Sequence, residues 1–358
     1  MKRACAAFLQ ALRDPNAMLA FDEATWDRVL RQARAAGLLG RLGALAGDFT
    51  ERLPNAVGRH LASACALAEQ QRRSVHWELL QLSRALAHTQ GPVVLLKGAA
   101  YAAADLPPAA GRIFSDIDLL VPRQQLEATE SALKLAGWFS SARDAYDVRY
   151  YREWMHELPP MLHIRRQTWL DVHHNILPET ARRQTRPELI LTESLPLTPF
   201  PRLSIPQPVD QVLHSATHLF HEGEWWHGLR DLVDLDALLR AYGADPAFWP
   251  QLMSRASSLN LGRPLYYALR YARRLLHTPI PDAVLTRCPE QPGFLAARMM
   301  DVLFLPAIAS AHHECRNMFT GVAAFMLYVR SHWLRMPLHL LIPHLLRKAL
   351  RKRDDQST

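Results

Sequence analysis

Residues 111–121 read GRIFSDIDLLV. Ile113, Phe114, Ile117, Leu119, Leu120 and Val121 are the residues of a buried strand, yet Asp116 and Asp118 stand among them. Successive side chains of a strand point to opposite faces, so the two carboxylates share one face and Ile117 takes the other. Side by side they repel, and burying them costs on the order of several kcal/mol unless a positive group sits between them. The D-x-D spacing suits two-point coordination of a hard divalent cation, which takes oxygen ligands and accompanies phosphates. Without such a cation, changing either Asp116 or Asp118 to Asn relieves a like-charge contact and is expected to be neutral or stabilising.

The flanking sequence supplies partners for this pair. Upstream, PVVLL (92–96) reads as a buried strand and GAAYAAADL (98–106) as a helix, with Lys97-Gly98 at the junction. Gly98 lets a phosphate approach the backbone, the helix start offers free N–H groups, and Lys97 reaches a phosphate as a point charge. Downstream, PRQQLEATESALKLAGW (122–138) reads as a helix and TWLDVHH (168–174) as a third strand. Asp171 lies between Leu170 and Val172 and faces away from both. If its strand neighbours 113–121, Asp171 completes a carboxylate triad able to hold two metal ions at an in-line phosphoryl displacement.

Around this segment the texture changes twice. Residues 1–88 are helical in pattern, with apolar residues at spacings of three and four and Asn55 poised to cap a long helix. Over 89–205 strands alternate with helices, which points to an α+β palm built on a small mixed sheet. The prolines at 196, 199, 201, 206 and 208 mark the crossing to a helical region over 206–358. There, His214, His218 and His221 fall on one helical face, directed at a cleft or satisfying buried polar groups. His173 and His174 close the third strand.

The chain has 358 residues, 49% of them hydrophobic, enough for two or three domains with a sizeable core. Its formal net charge of +8 suits an anionic partner. Part of that excess lies in LLRKALRKR (345–353), where peripheral contact with a membrane surface is the alternative to a frayed basic tail. Cys5, Cys65, Cys288 and Cys315 are scattered with no metal-ligand spacing, which reads as free thiols in a reducing cytoplasm. No window of 18 uncharged apolar residues exists, so no transmembrane segment is expected.

The order strand, Lys-Gly, helix, SDIDLLV, helix, LDVH resembles the polymerase-beta-type nucleotidyltransferase superfamily, and within it a bacterial group of uncharacterised nucleotidyltransferases. There a Lys-Gly pair replaces the usual Gly-Ser. Lys97, Gly98, Tyr101, Arg112, Asp116, Asp118, Asp171 and His173 match that pattern, and His218, Trp226, Arg230 and Asp231 match its helical part. The resemblance implies a metal-dependent enzyme that moves an NMP from an NTP to an acceptor hydroxyl of a small molecule, a tRNA or a protein. It implies Mg2+ or Mn2+ at Asp116, Asp118 and Asp171. It further implies nucleotide contacts from Lys97, Gly98, Arg112 and Ser115, and an acceptor pocket at Tyr101, His173, His218 and Asp231. Arg112 has a second reading as an ion-pair partner that holds the acid strand. The alternative function is a catalytically silent member that binds nucleotide or a partner protein. The missing Gly-Ser hydroxyl favours it, and the retained triad opposes it.

Overall fold

The computed structural model describes residues 5–141, 149–221, 223–337 and 339–342. The basic tail, with the membrane contact expected of it, lies outside the described residues. Four helices come first: α1 (Ala6–Arg13), α2 (Glu23–Ala35), α3 (Leu39–Ala46) and α4 (Asn55–Ala85). Asp22 caps α2 by accepting from the Thr25 N–H, whereas Asn55 is already helical and makes no cap. Then follow β1 (Val93–Leu96), α5 (Lys97–Ala103), β2 (Asp116–Leu120), α6 (Leu126–Leu135), β3 (Trp138–Ser140), β4 (Met161–His163), β5 (Trp169–His173), α7 (Pro187–Thr192), β6 (Leu195–Pro196) and β7 (Leu203–Ile205). Helices α8 (Pro208–His221), α9 (Gly228–Tyr242), α10 (Phe248–Ser258), α11 (Gly262–Leu276), α12 (Asp282–Thr286), α13 (Phe294–Ile308) and α14 (Thr320–Arg335) complete the α+β architecture.

The seven strands form one mixed sheet in the order β3-β4-β5-β2-β1-β7-β6. β2 lies at its centre, antiparallel to β1 and parallel to β5. The register sets Asp118 beside Asp171 and Asp116 beside Trp169. β2 is shorter than the apolar run around it, because Phe114 N–H donates to Gln71 Oε1 at 2.9 Å instead of joining the ladder.

Strand alternation divides the apolar residues between two cores. Val93, Leu95, Ile117, Leu119, Leu170 and Val172 face one core with Leu79 and Leu82 of α4, Leu86 just past its end, and Leu133 of α6. Val94, Leu96 and Leu120 face the other, which joins Phe8, Trp26 and Leu42 of the first helices to Leu213, Phe220, Leu235, Leu265 and Phe304 of the later ones. The carboxylates are on the second face and look toward α8. Cys5 and Cys315 form a disulfide across this core, with Cα atoms 5.5 Å apart, while Cys65 and Cys288 are free thiols. Four free thiols were expected because a sequence separation of 310 hides the approach of Cys5 and Cys315 in space. Among the described residues no helix is long and apolar enough to cross a membrane.

Candidate active site

The site is built where β1, β2 and β5 end against α8 and α9. Asp116, Asp118 and Asp171 each present an oxygen within 4.8 Å of the others, an arrangement able to hold a metal ion. They are unequal. Asp116 is exposed and accepts from Ser115 Oγ at 2.6 Å, whereas Asp118 is 5% exposed. Asp118 Oδ1 sits 3.6 Å from Lys97 Nζ and 3.2 Å from His173 Nε2. Burial works against the Asp118 carboxylate, but Lys97 and His173 outweigh it and hold its pKa well below the usual range. Mutual repulsion is therefore the wrong account of Asp118, whose charge already has two partners.

Asp171 carries the opposite perturbation. Burial, then the negative charge of Asp118, pushes its pKa up to about 7, and its buried Oδ1 has no hydrogen-bond partner. An orphaned carboxylate oxygen aimed at two further carboxylates is the feature a cation would complete. His173 bridges in the other direction, with Nδ1 3.1 Å from Glu157 Oε2. Burial opposes its protonation, but Asp118 and Glu157 prevail and raise its pKa.

At the Lys97-Gly98 junction the unusual backbone falls on the lysine and not on the glycine. Lys97 has φ +43°, a left-handed conformation that non-glycine residues rarely hold except where the surroundings enforce it. A Cβ on Gly98 would lie 2.7 Å from Arg112 Nη1, so only glycine lets the guanidinium pass behind the turn. Arg112 is partly buried against the faces of Tyr101 and Phe114, its side chain 11% exposed, and its Nε donates to Asp234 Oδ2 at 2.9 Å. Both readings of Arg112 thus have a footing, since it is ion-paired and also lines a cavity. Arg112→Met is expected to destabilise the fold by about 3–5 kcal/mol, the usual cost of leaving a buried charge such as Asp234 unpaired. Urea titration measures this, and a loss under about 1 kcal/mol would limit Arg112 to surface chemistry.

Two cavities meet at the acids. The outer one, of about 270 Å3, is lined by Lys97, Gly98, Tyr101, Arg112, Ser115, Ser215, Trp226, Arg230, Asp231 and Asp234. The inner one, of about 280 Å3, is lined by His156, Glu157, Asp171, His173, His214, His221 and Arg335. Lys97, Asp116, Asp118 and His218 belong to both. The four residues expected to form one acceptor pocket are therefore split. Tyr101 and Asp231 line the outer cavity, His173 the inner, and His218 both. The Tyr101 hydroxyl is also engaged with Ser215 Oγ. A larger depression of about 800 Å3 lies elsewhere, and its Arg255 is paired with Glu193 and Asp210.

Residues 22–277 match a family model described as uncharacterised nucleotidyltransferase. The chain belongs to that family. No curated protein and no solved structure matches it. The strand ends, the Lys97 turn and the α9 residues facing them all fall inside the matched span, and the family identity supports nucleotidyl transfer as the kind of reaction. Arg335, at the inner cavity, lies beyond the span. Of the cavity residues, His156, Glu157 and Arg335 carry no sequence signal, because they come from segments without a strand or motif pattern.

Proposed function

We propose that this nucleotidyltransferase, of the polymerase-beta type, transfers an NMP from an NTP to the hydroxyl of a small acceptor. The observation that carries the reading is the position of Asp116, Asp118 and Lys97 on a wall shared by two cavities, with Asp171 on the inner side alone. Asp116, Asp118 and Asp171 are the residues that would hold Mg2+ or Mn2+. A divalent cation there supplies charge neutralisation on the phosphates and on the displaced oxygen.

The chain's own groups account for the rest. The outer cavity, with Lys97, Arg112 and Arg230, receives the triphosphate, and the exposed Trp226 indole at its edge offers a face for the base. The inner cavity receives the acceptor, where the Asp171 carboxylate takes the hydroxyl proton as the oxygen attacks the α-phosphorus. The bond between α-phosphorus and bridging oxygen breaks and pyrophosphate leaves. An inner volume of about 280 Å3 admits a small molecule or the tip of a larger one. Under this reading residues 89–205 act as the palm and the helical regions before and after it close the cleft. An NTP substrate fits a cytoplasmic setting, while the Cys5–Cys315 disulfide is of a kind rare in reducing compartments.

The test is incubation with each labelled NTP, with and without Mg2+, in the presence of small-molecule and RNA fractions separately. Release of pyrophosphate with label in the small-molecule fraction is expected. No release with any NTP, together with no nucleotide binding, overturns the assignment; binding without release leaves the silent alternative. Lys97→Ala is expected to weaken NTP binding by roughly tenfold, the value of about 1.4 kcal/mol for one charged phosphate contact. Calorimetric titration checks it, and unchanged affinity removes Lys97 from the phosphate role.

A further inference from the structure

Beside the carboxylate triad lies a second group with a different donor set. His156, Glu157 and His173 offer two imidazole nitrogens and a carboxylate oxygen, all within 4.8 Å of one another. The backbone brings them together. Glu157 and His173 face each other across an isolated antiparallel bridge, flanked by Leu158 N–H to Val172 O and His174 N–H to His156 O, each 2.8 Å. The His156 and His173 rings stack with centroids 5.3 Å apart.

We propose that His156, Glu157 and His173 form a second metal site that takes Zn2+, distinct from the all-oxygen site of the aspartates. Three observations support it independently of the transfer reaction. First, His156 Nδ1 is buried with no hydrogen-bond partner, which an imidazole in a polar wall rarely tolerates. Second, His173 Nδ1 and Glu157 Oε2 lie 3.1 Å apart, close to the ~3.3 Å that tetrahedral bonds of about 2.0 Å set between ligand atoms. Third, the opposite nitrogen of His173 faces a carboxylate, Asp118 Oδ1 at 3.2 Å. That is the outer partner which fixes the ring of a metal-bound histidine.

The donor chemistry separates the two sites. Two imidazoles and one carboxylate suit a transition ion, and a His2Glu set with an open position is a recurring zinc set, while three carboxylates suit Mg2+ or Mn2+. All three residues line the inner cavity, so a fourth coordination position opens into it. Three protein ligands with one open position is the pattern of zinc that meets a water or a substrate, not of zinc that only holds a fold together. His173 would then lie between the two sites, touching Asp118 with one nitrogen and Zn2+ with the other.

The experiment is metal analysis and Co2+ spectroscopy on the full chain. After dialysis against Zn2+ and gel filtration, wild type is expected to retain one zinc per chain. Co2+ in its place is expected to give the intense visible bands of a four- or five-coordinate ion. Co2+ on carboxylates and water alone is six-coordinate and gives only weak bands. His156→Ala is expected to lower Zn2+ affinity by at least ~10–100-fold, the range for losing even an outer partner, whereas Asp116→Asn keeps the bands. If wild type retains no zinc and shows no intense Co2+ bands, the site does not exist. Retained metal with only weak Co2+ bands, lost in Asp116→Asn but kept in His156→Ala, would move the metal to the triad and equally overturn the proposal. Should His156→Ala fail to fold, the wild-type stoichiometry and the Asp116→Asn spectrum still decide.

Discussion

Asp118→Asn is expected to lower nucleotidyl transfer by about 10³-fold or more, the scale seen when a group that stabilises transition-state charge is removed. It is also expected to destabilise the metal-free protein at pH 7 by about 2 kcal/mol, since Lys97 and His173 lose their common partner. The sign of the stability effect is the informative part. Two repelling acids would make Asn neutral or better. Here the Asp118 pKa is depressed in the fold, so its contribution is present above the ordinary carboxylate value near 4 and lost as pH falls below it. Asp116→Asn, at an exposed position whose carboxylate contacts Ser115, should change stability by under about 0.5 kcal/mol while still impairing transfer. Thermal melts of both variants without metal, alongside rates measured well below their melting temperatures, separate the effects. Equal stability losses for the two aspartates would show that their environments do not differ as described.

The alternation in SDIDLLV and WLDVH is enough to put three carboxylates on one face, because a period of two leaves a strand little choice. The Lys97-Gly98 turn is equally legible, since an apolar β-branched run that meets glycine and then alanines must change from strand to helix there. Strands β3, β4, β6 and β7 are not, as each has only two or three residues, too few to show a period. Pro196 sits in β6 at the sheet edge, where a missing N–H costs nothing. The partners of the site are long-range. Arg112 finds Asp234 across 122 residues, and Glu157 reaches His173 through a single bridge in a stretch without pattern. Amphipathic helices declare that one face is buried but not against what. The common core of α1–α3 with α8–α13 therefore has no signature, and neither does the Cys5–Cys315 disulfide.

Asp171→Asn should produce the opposite stability effect from Asp118→Asn, with a pH dependence that identifies its cause. The Asp171 carboxyl is raised to about 7 by burial and by Asp118. Between the unfolded value near 4 and that folded value, the native state binds a proton that the unfolded state has released. Stability from this group therefore falls as pH rises through the interval and is fully lost above it. The penalty at pH 8 is about 2–4 kcal/mol, from about 1.4 kcal/mol for each unit between the two values, reduced for partial solvent access. Asparagine carries no such penalty, so the variant should be more stable than wild type at pH 8 and little different at pH 4. Transfer should nevertheless fall by about 10²–10⁴-fold, because the group that accepts the acceptor's proton is gone. Adding Mg2+ with the preferred NTP should raise the wild-type melting temperature at pH 8 through binding to the native state, and the gain should shrink in Asp171→Asn. Denaturant titrations of both proteins from pH 4 to 8 give the difference curve directly. A difference that stays constant across that range would mean that Asp171 does not hold its proton to neutrality.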